Sequence, residues 1–169
     1  MNKLYMIMIS ASLALAGCET TTGVTAVGQQ QIKTYRISSL NQGKIARTIL
    51  EDVNKMRTTN NHSAMAYDAT LNLAAAVHSK DMAAQARPWH WGSDGSSPKD
   101  RTEKAGYKGE FLGELISETY ETEVETLAAW TTQSDTMAIL MDERAQDLGF
   151  AWYQEPNGKI WWTLISGKP

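Results

Sequence analysis

The chain contains one cysteine, and where it sits decides what kind of fold is open to the rest. Cys18 ends the run Leu15-Ala16-Gly17-Cys18, directly after an apolar stretch from Leu4 to Ala16 that follows one basic residue, Lys3. A basic start, a short apolar stretch and small residues at its boundary make a secretory signal. A cysteine at that boundary makes it the bacterial lipoprotein kind, in which the thiol carries the lipid and becomes the first residue of the mature chain. The stretch is too short to span a bilayer. With its only thiol committed to lipidation, the chain has no disulfide to draw on. Small secreted domains usually need disulfides, so this one must be held by a packed apolar core, and a domain of about 125 residues is large enough to build one.

Cleavage before Cys18 leaves 152 of the 169 residues, which suits one domain and a linker. The expected organisation is a signal peptide over 1–17, a lipidated flexible tether over 18–42 and a folded domain over 43–169. The tether is polar and poor in aromatics: Glu19-Thr20-Thr21-Thr22-Gly23, then Gln29-Gln30-Gln31. Lys3 is the only charge removed, so the net charge of −3 becomes −4. That mildly acidic balance argues against a phosphate-binding surface, and nucleic acid is not an expected partner. The expected location is the bacterial cell envelope, facing outside the cytoplasm, with Cys18 joining the chain to a membrane.

From Gly43 the pattern changes. Ile45, Ile49, Val53 and Met56 recur at one face of a helix that ends near Thr58-Thr59-Asn60-Asn61. A second helix is expected to start at Asp68 or Thr70 as N-cap, to carry the alanine-rich face of Leu71, Leu73, Ala74, Ala75, Val77, Met82 and Ala83, and to stop at Pro88. Trp89 to Pro98 is loop by composition, and Pro98 to Ala105 is a candidate short helix. Thr122 and Glu125 form a capping box ahead of a helix from Glu123 to about Gln133, followed by a further turn or two over Met137 to Met141. Phe150 to Gln154 and Ile160 to Ile165 are rich in aromatic and β-branched residues. Asn157-Gly158 between them marks a hairpin, because both residues tolerate positive φ. Helices first and strands last predict an α+β domain with helices packed on a small antiparallel sheet.

Among the three histidines, His62 lies in a polar turn and His78 lies inside the second helix, where a structural hydrogen-bonding role is expected. His90 stands in the loop between Trp89 and Trp91, near Asp94. A histidine beside a carboxylate is held in one tautomer or has its pKa moved into the working range. Glu114 is embedded in the apolar run Gly113-Glu114-Leu115-Ile116. Burying it alone is costly, so it needs a partner, such as a structural arginine like Arg101. The chain shows no Cys/His zinc spacing, no phosphate-cradling glycine loop and no Gly-x-Ser-x-Gly elbow.

Taken in order, these segments resemble the CAP superfamily, which joins cysteine-rich secretory proteins, antigen 5 and pathogenesis-related class-one proteins. The matching residues are Asn54-x-x-Arg57; Leu71-x-Leu73-Ala74-Ala75 with His78-Ser79-x-Asp81-Met82-Ala83; His90 with Asp94-Gly95-Ser96-Ser97-Pro98-x-x-Arg101; Ala105-Gly106-Tyr107; Gly113-Glu114; Trp130 with Ser134; Leu148-Gly149-Phe150; and Trp161-Trp162-Thr163. The resemblance implies an α-β-α sandwich with a C-terminal hairpin, and a surface cleft that in many relatives holds two histidines and two acidic residues. His90 matches the loop histidine of that set and Glu114 the acidic residue after glycine. Gln133 stands where some relatives carry glutamate, Met137 where bacterial relatives carry the second histidine, and Leu115 where asparagine usually follows Gly-Glu.

One imidazole and one carboxylate make a weak zinc site, and the Met137 thioether is too soft to replace imidazole. No tight zinc binding and no cofactor are expected. The expected function is a non-catalytic or cryptic ligand-binding module, with His90, Glu114, Gln133 and Asp94 as binding residues. Its ligand is expected to be an envelope lipid, glycan, peptide or protein. A second possibility is a hydrolase with His90 as base, Glu114 as its orienting group and Ser134 or Ser93 as nucleophile. A third is a structural envelope protein, in which His90 and Glu114 are paired, packed and closed off from any pocket.

Overall fold

The computed structural model describes residues 35–169; the expected signal segment, the expected lipidation residue Cys18 and the expected tether as far as residue 34 lie outside the described residues. The elements run α1 (Gln42–Thr59), β1 (Ala66–Tyr67), α2 (Ala69–Gln85), α3 (Pro98–Lys104), β2 (Glu110–Ser117), α4 (Glu123–Thr132), α5 (Ser134–Leu140), β3 (Asp147–Gln154) and β4 (Ile160–Lys168). The fold is α+β, as the sequence leads one to expect.

Helix boundaries follow from local chemistry. Asp68 caps α2, its Oδ1 accepting from the N–H groups of Thr70 and Leu71 at 2.8 Å each. Capping boxes start α3, through Ser97 and Asp100, and α4, through Thr122 and Glu125. α2 ends at Gln85 and not at Pro88, and of its expected packing face Leu73 and Val77 are exposed. Ala86 takes the left-handed conformation, and the helix closes before the proline is reached.

The sheet order is β1-β3-β4-β2. The β3–β4 and β4–β2 pairs are antiparallel, while β1 runs parallel to β3, so the sheet is mixed rather than purely antiparallel. β1 has only two residues, and β2 is bulged between Phe111 and Gly113, with Gly113 and Glu114 at its centre. Neither offers a plain alternating pattern. In the hairpin turn Gly158 N–H donates to Glu155 C=O, and Gly158 alone takes positive φ, at 103°; Asn157 does not share it.

β4 lies at the centre of the sheet and is buried along nearly its whole length. On one face Ile160, Trp162 and Leu164, with Leu148 and Phe150 of β3, pack against α1, α4 and α5. On the other, Ile165 and Ala151 pack against Leu71, Ala74 and Ala75 of α2. Helices therefore cover both faces of the sheet. Phe150 stacks on Trp162 at 5.6 Å and meets the edge of Trp130 at 6.5 Å, contacts worth about 0.5–1.5 kcal/mol each beyond their buried area. Gly149 is needed where α2 crosses β3, because a Cβ there would run into the backbone of Leu71 and Asn72.

The packed region begins ahead of Gly43. Tyr35 O–H donates to Glu123, and the Gln154 side chain accepts from Ile37 N–H and donates to Tyr35 C=O. Among the described residues no helix is long and apolar enough to cross a membrane.

Arg57 is fully buried and donates to four carbonyl oxygens: Ser63, Leu140, Asp142 and Ala145, at 2.8–3.0 Å. It ties α1 to the segment joining α5 and β3. Arg57→Met should cost at least about 3 kcal/mol, since several buried acceptors lose their donors together. Arg57→Lys should recover little of that, because an ammonium cannot reproduce the planar fork. Urea midpoints measure both; a midpoint unchanged in Arg57→Met would contradict this role.

Candidate functional site

Glu114 pairs across from Ile165, and its neighbour Leu115 from Leu164. Leu115 and Leu164 point to the side of the sheet covered by α1, α4 and α5. Alternation along the strand sends Glu114 to the opposite side, where α2 and α3 lie. Its side chain is 1% exposed. Arg101 of α3, also buried, places Nη2 2.7 Å from Oε2 and 3.0 Å from Oε1, while Nη1 donates to Ser96 C=O at 3.1 Å. The ion pair answers a desolvation cost of several kcal/mol for each buried charge.

Onto this carboxylate the loop after α2 brings His90, with Nδ1 2.9 Å from Oε1. A carboxylate can only accept, so Nδ1 carries the proton, and in the neutral ring Nε2 keeps its lone pair. The His90 side chain is 51% exposed.

His78 of α2 lies on the buried side of the same group. Its Nε2 is 2.9 Å from Trp89 C=O and 3.6 Å from Glu114 Oε1; both are acceptors, so the proton sits on Nε2. Its Nδ1 is buried without a partner. Burial pushes its pKa below the usual 6.5, against the opposing pull of Glu114. A neutral His78 thus fixes the carbonyl next to His90. The sequence pointed to a structural histidine here, but not to its closeness to Glu114.

The loop is pinned to α2 by further contacts. Ser93 donates to Asp81 from both N–H and hydroxyl, at 2.8 and 2.6 Å, and Trp89 Nε1–H donates to Gln85 at 3.0 Å. From the other side α5 approaches β2 closely because residue 113 has no side chain: a Cβ there would lie 2.7 Å from Ile139 Cγ2. Between loop and α4–α5 junction runs a cleft of about 560 Å³. Trp89, His90 and Trp91 form one wall, Gln133, Asp135 and Thr136 the other, and Glu114 lies at its base.

The structure therefore brings His90, Glu114 and Gln133 together and leaves Asp94 out. Gly92 N–H bonds to Ser96 C=O at 2.8 Å and Gly95 adopts φ of 80°, so the chain reverses just after Trp91. Asp94 accepts from Lys104 at 2.8 Å and from Ser96 N–H at 2.9 Å. Those bonds hold its carboxyl well below the usual range. It lines a separate pocket of about 390 Å³ with Leu73 and Val77. Asp94 is near His90 in sequence and belongs to a different part of the surface.

Neither candidate nucleophile is hydrogen-bonded to His90. Ser93 is engaged by Asp81, and Ser134 Oγ donates to Asp135 at 3.1 Å. Nor is His90 closed off, as a purely structural pair requires; the pair is made, but the imidazole opens on the cleft.

The zinc ion that the family resemblance brings into question does not fit this donor set. Arg101 engages both Glu114 oxygens, His90 Nδ1 is spent on Glu114, and His78 Nε2 on Trp89. Two ring nitrogens keep a free lone pair, the exposed His90 Nε2 and the buried His78 Nδ1, whereas zinc sites supply at least three protein ligands. Among the described residues no group of three or more His, Cys, Asp or Glu is placed to hold a metal.

Two outcomes follow. Zinc titrated calorimetrically should show no submicromolar site; one that disappears in His90→Ala would contradict the donor count. His78, neutral in the fold, takes up a proton near pH 6.5 once unfolded. The unfolded state then binds more protons, so stability falls as pH drops through that value, and the loss ends below the depressed folded pKa. From about pH 7.5 to about 5.5 the urea midpoint of wild type should fall more than that of His78→Gln. Parallel declines would show that His78 does not carry this dependence.

A family model described as "CAP: Cysteine-rich secretory protein family" matches residues 50–166. No curated protein gives a match. Among solved structures, the fold is similar to an outer surface protein from Borrelia burgdorferi, with TM-score 0.67 and 16% identity over 74% of this chain and 92% of that one. It is also similar to an extracellular SCP-domain protein from Bacillus anthracis, with TM-score 0.70 and 20% identity over 79% of this chain and 45% of that one. A cysteine-rich secretory protein from Staphylococcus aureus gives TM-score 0.61 and 10% identity over 79% and 42%. The chain spans less than half the length of the last two. With its helices on both faces of a mixed sheet and the family model matched over most of its length, the chain belongs to the CAP, or cysteine-rich secretory protein, family.

Proposed function

We propose that this protein is a lipid-anchored module of the bacterial envelope that binds a ligand in the cleft at His90 and Glu114. The observation that carries this reading is the half-exposed imidazole of His90, held at the cleft by a carboxylate that is itself buried against Arg101. An apolar pair would fill the same space without the desolvation cost of two charges. The ion pair instead fixes the direction of a ring whose free nitrogen opens on solvent. A cleft with aromatic walls and a few convergent polar groups is the ordinary form of a ligand site. No hydroxyl nucleophile hydrogen-bonds His90 among the described residues, so binding is favoured over hydrolysis.

The envelope location rests on the signal before Cys18 and on the likeness to outer-surface and extracellular proteins. Lipidation of Cys18 would carry the domain on the membrane surface, and more than one acyl chain would make that attachment firm.

Mass spectrometry of small molecules and peptides copurifying with the protein should find a species with wild type that is at least about tenfold depleted from His90→Ala/Glu114→Gln, the loss of one or two charge-assisted hydrogen bonds. Equal recovery from both would remove the cleft as the binding site. Cells fed labelled palmitate should label the wild-type chain and not Cys18→Ala; label in both would place the lipid elsewhere.

A further inference from the structure

We infer that the cleft takes an uncharged saccharide, stacked on Trp91 and hydrogen-bonded between His90 Nε2 and the wall of Gln133 and Asp135. This deepens the binding role proposed above and rests on it. Trp91 is 53% exposed, and its indole N–H has no hydrogen-bond partner among the described residues. This half-exposed residue follows His90 and lines the cleft, with its donor unpaired. An indole combines apolar area with a polar edge, which suits a ligand that has both.

The rest of the lining weighs against the other classes. No lysine or arginine lines the cleft. Arg101 is engaged by Glu114 behind it, and the Arg87 guanidinium lies 3.7 Å over the Trp89 ring. A phosphate or a fatty-acid carboxylate would meet Asp135 with no free cation to balance it. An alkyl chain has Leu115, Ile116 and Ile139 to rest on, but it would strip water from Gln133 and Asp135 and offer no hydrogen bond in return. A peptide added as a strand needs a free sheet edge. β2 is an edge strand, yet Gly113, Glu114 and Leu115 are buried, so the central length of that edge is covered.

A pyranose meets each remaining condition. Its C–H face is apolar and matches an exposed ring. Its hydroxyls accept from the Gln133 amide and donate to the Asp135 carboxylate and to the His90 Nε2 lone pair. The Thr136 hydroxyl is already donated to Trp130 C=O and is not counted among these partners.

The test is an NMR titration of the protein with three uncharged oligosaccharides: chitotetraose, cellotetraose and maltotetraose. At least one should shift the Trp91 indole N–H and the Gln133 side-chain amide saturably. Trp91→Ala should weaken that binding about tenfold, the loss of one aromatic stacking contact. Trp91→Phe should restore most of it, and Val77→Ala, in the separate pocket, should leave it unchanged. The inference is overturned if none of the three moves those resonances, or if binding is insensitive to Trp91→Ala. Should no sugar bind while a copurified species still depends on His90 and Glu114, the saccharide class falls and the binding cleft stands. Should that species be a peptide or a lipid, it is identified directly as the correct class.

Discussion

The carboxylate of Glu114 is the group on which the site depends. A strand places it inside the protein, where an unpaired charge is not tolerated. Arg101 neutralises it and in doing so fixes α3 to β2. His90 takes a bond on the same oxygen and is thereby fixed in direction and tautomer. His78 approaches that oxygen from the buried side while holding the Trp89 carbonyl. One buried charge thus sets the positions of α3, the loop after α2 and the one imidazole that faces the cleft.

The opposite wall is placed by different means. α5 comes close to β2 because Gly113 leaves room for Ile139, and this sets the α4–α5 junction beside the strand. The far end of α5 is held by Arg57, which takes the Leu140 carbonyl and two carbonyls of the following segment. A buried guanidinium satisfying several backbone acceptors does for this cysteine-free domain part of what a disulfide does elsewhere: it ties distant segments together. The aromatic core, in which Phe150 stacks on Trp162 and Trp152 tilts against both, adds to this.

Much of this was legible in the sequence where local chemistry decides the outcome. Asp68, Ser97 and Thr122 announce helix starts through caps, and the apolar spacing of Ile45, Ile49 and Val53 gives the buried face of α1. The cost of a lone buried carboxylate points from Glu114 toward an arginine, and Arg101 fills that place. Where three-dimensional proximity decides, the sequence was a weaker guide. Asp94 stands four residues from His90, but the reversal between Gly92 and Ser96 carries it to another pocket. β2 was hidden by a bulge and by a glycine and a charge at its centre. The many-partner role of Arg57 had no local signal, since three of its four acceptors lie more than 80 residues away along the chain.

The buried Glu114–Arg101 pair holds His90 with Nδ1 protonated and Nε2 free to the cleft. Long-range proton–nitrogen correlation spectra of the imidazoles, recorded well above the histidine titration range, measure this directly. His90 is expected as the Nδ1–H tautomer in the wild-type protein. A His90 found as the Nε2–H tautomer, or as the mixture of a free solvated imidazole, would contradict it.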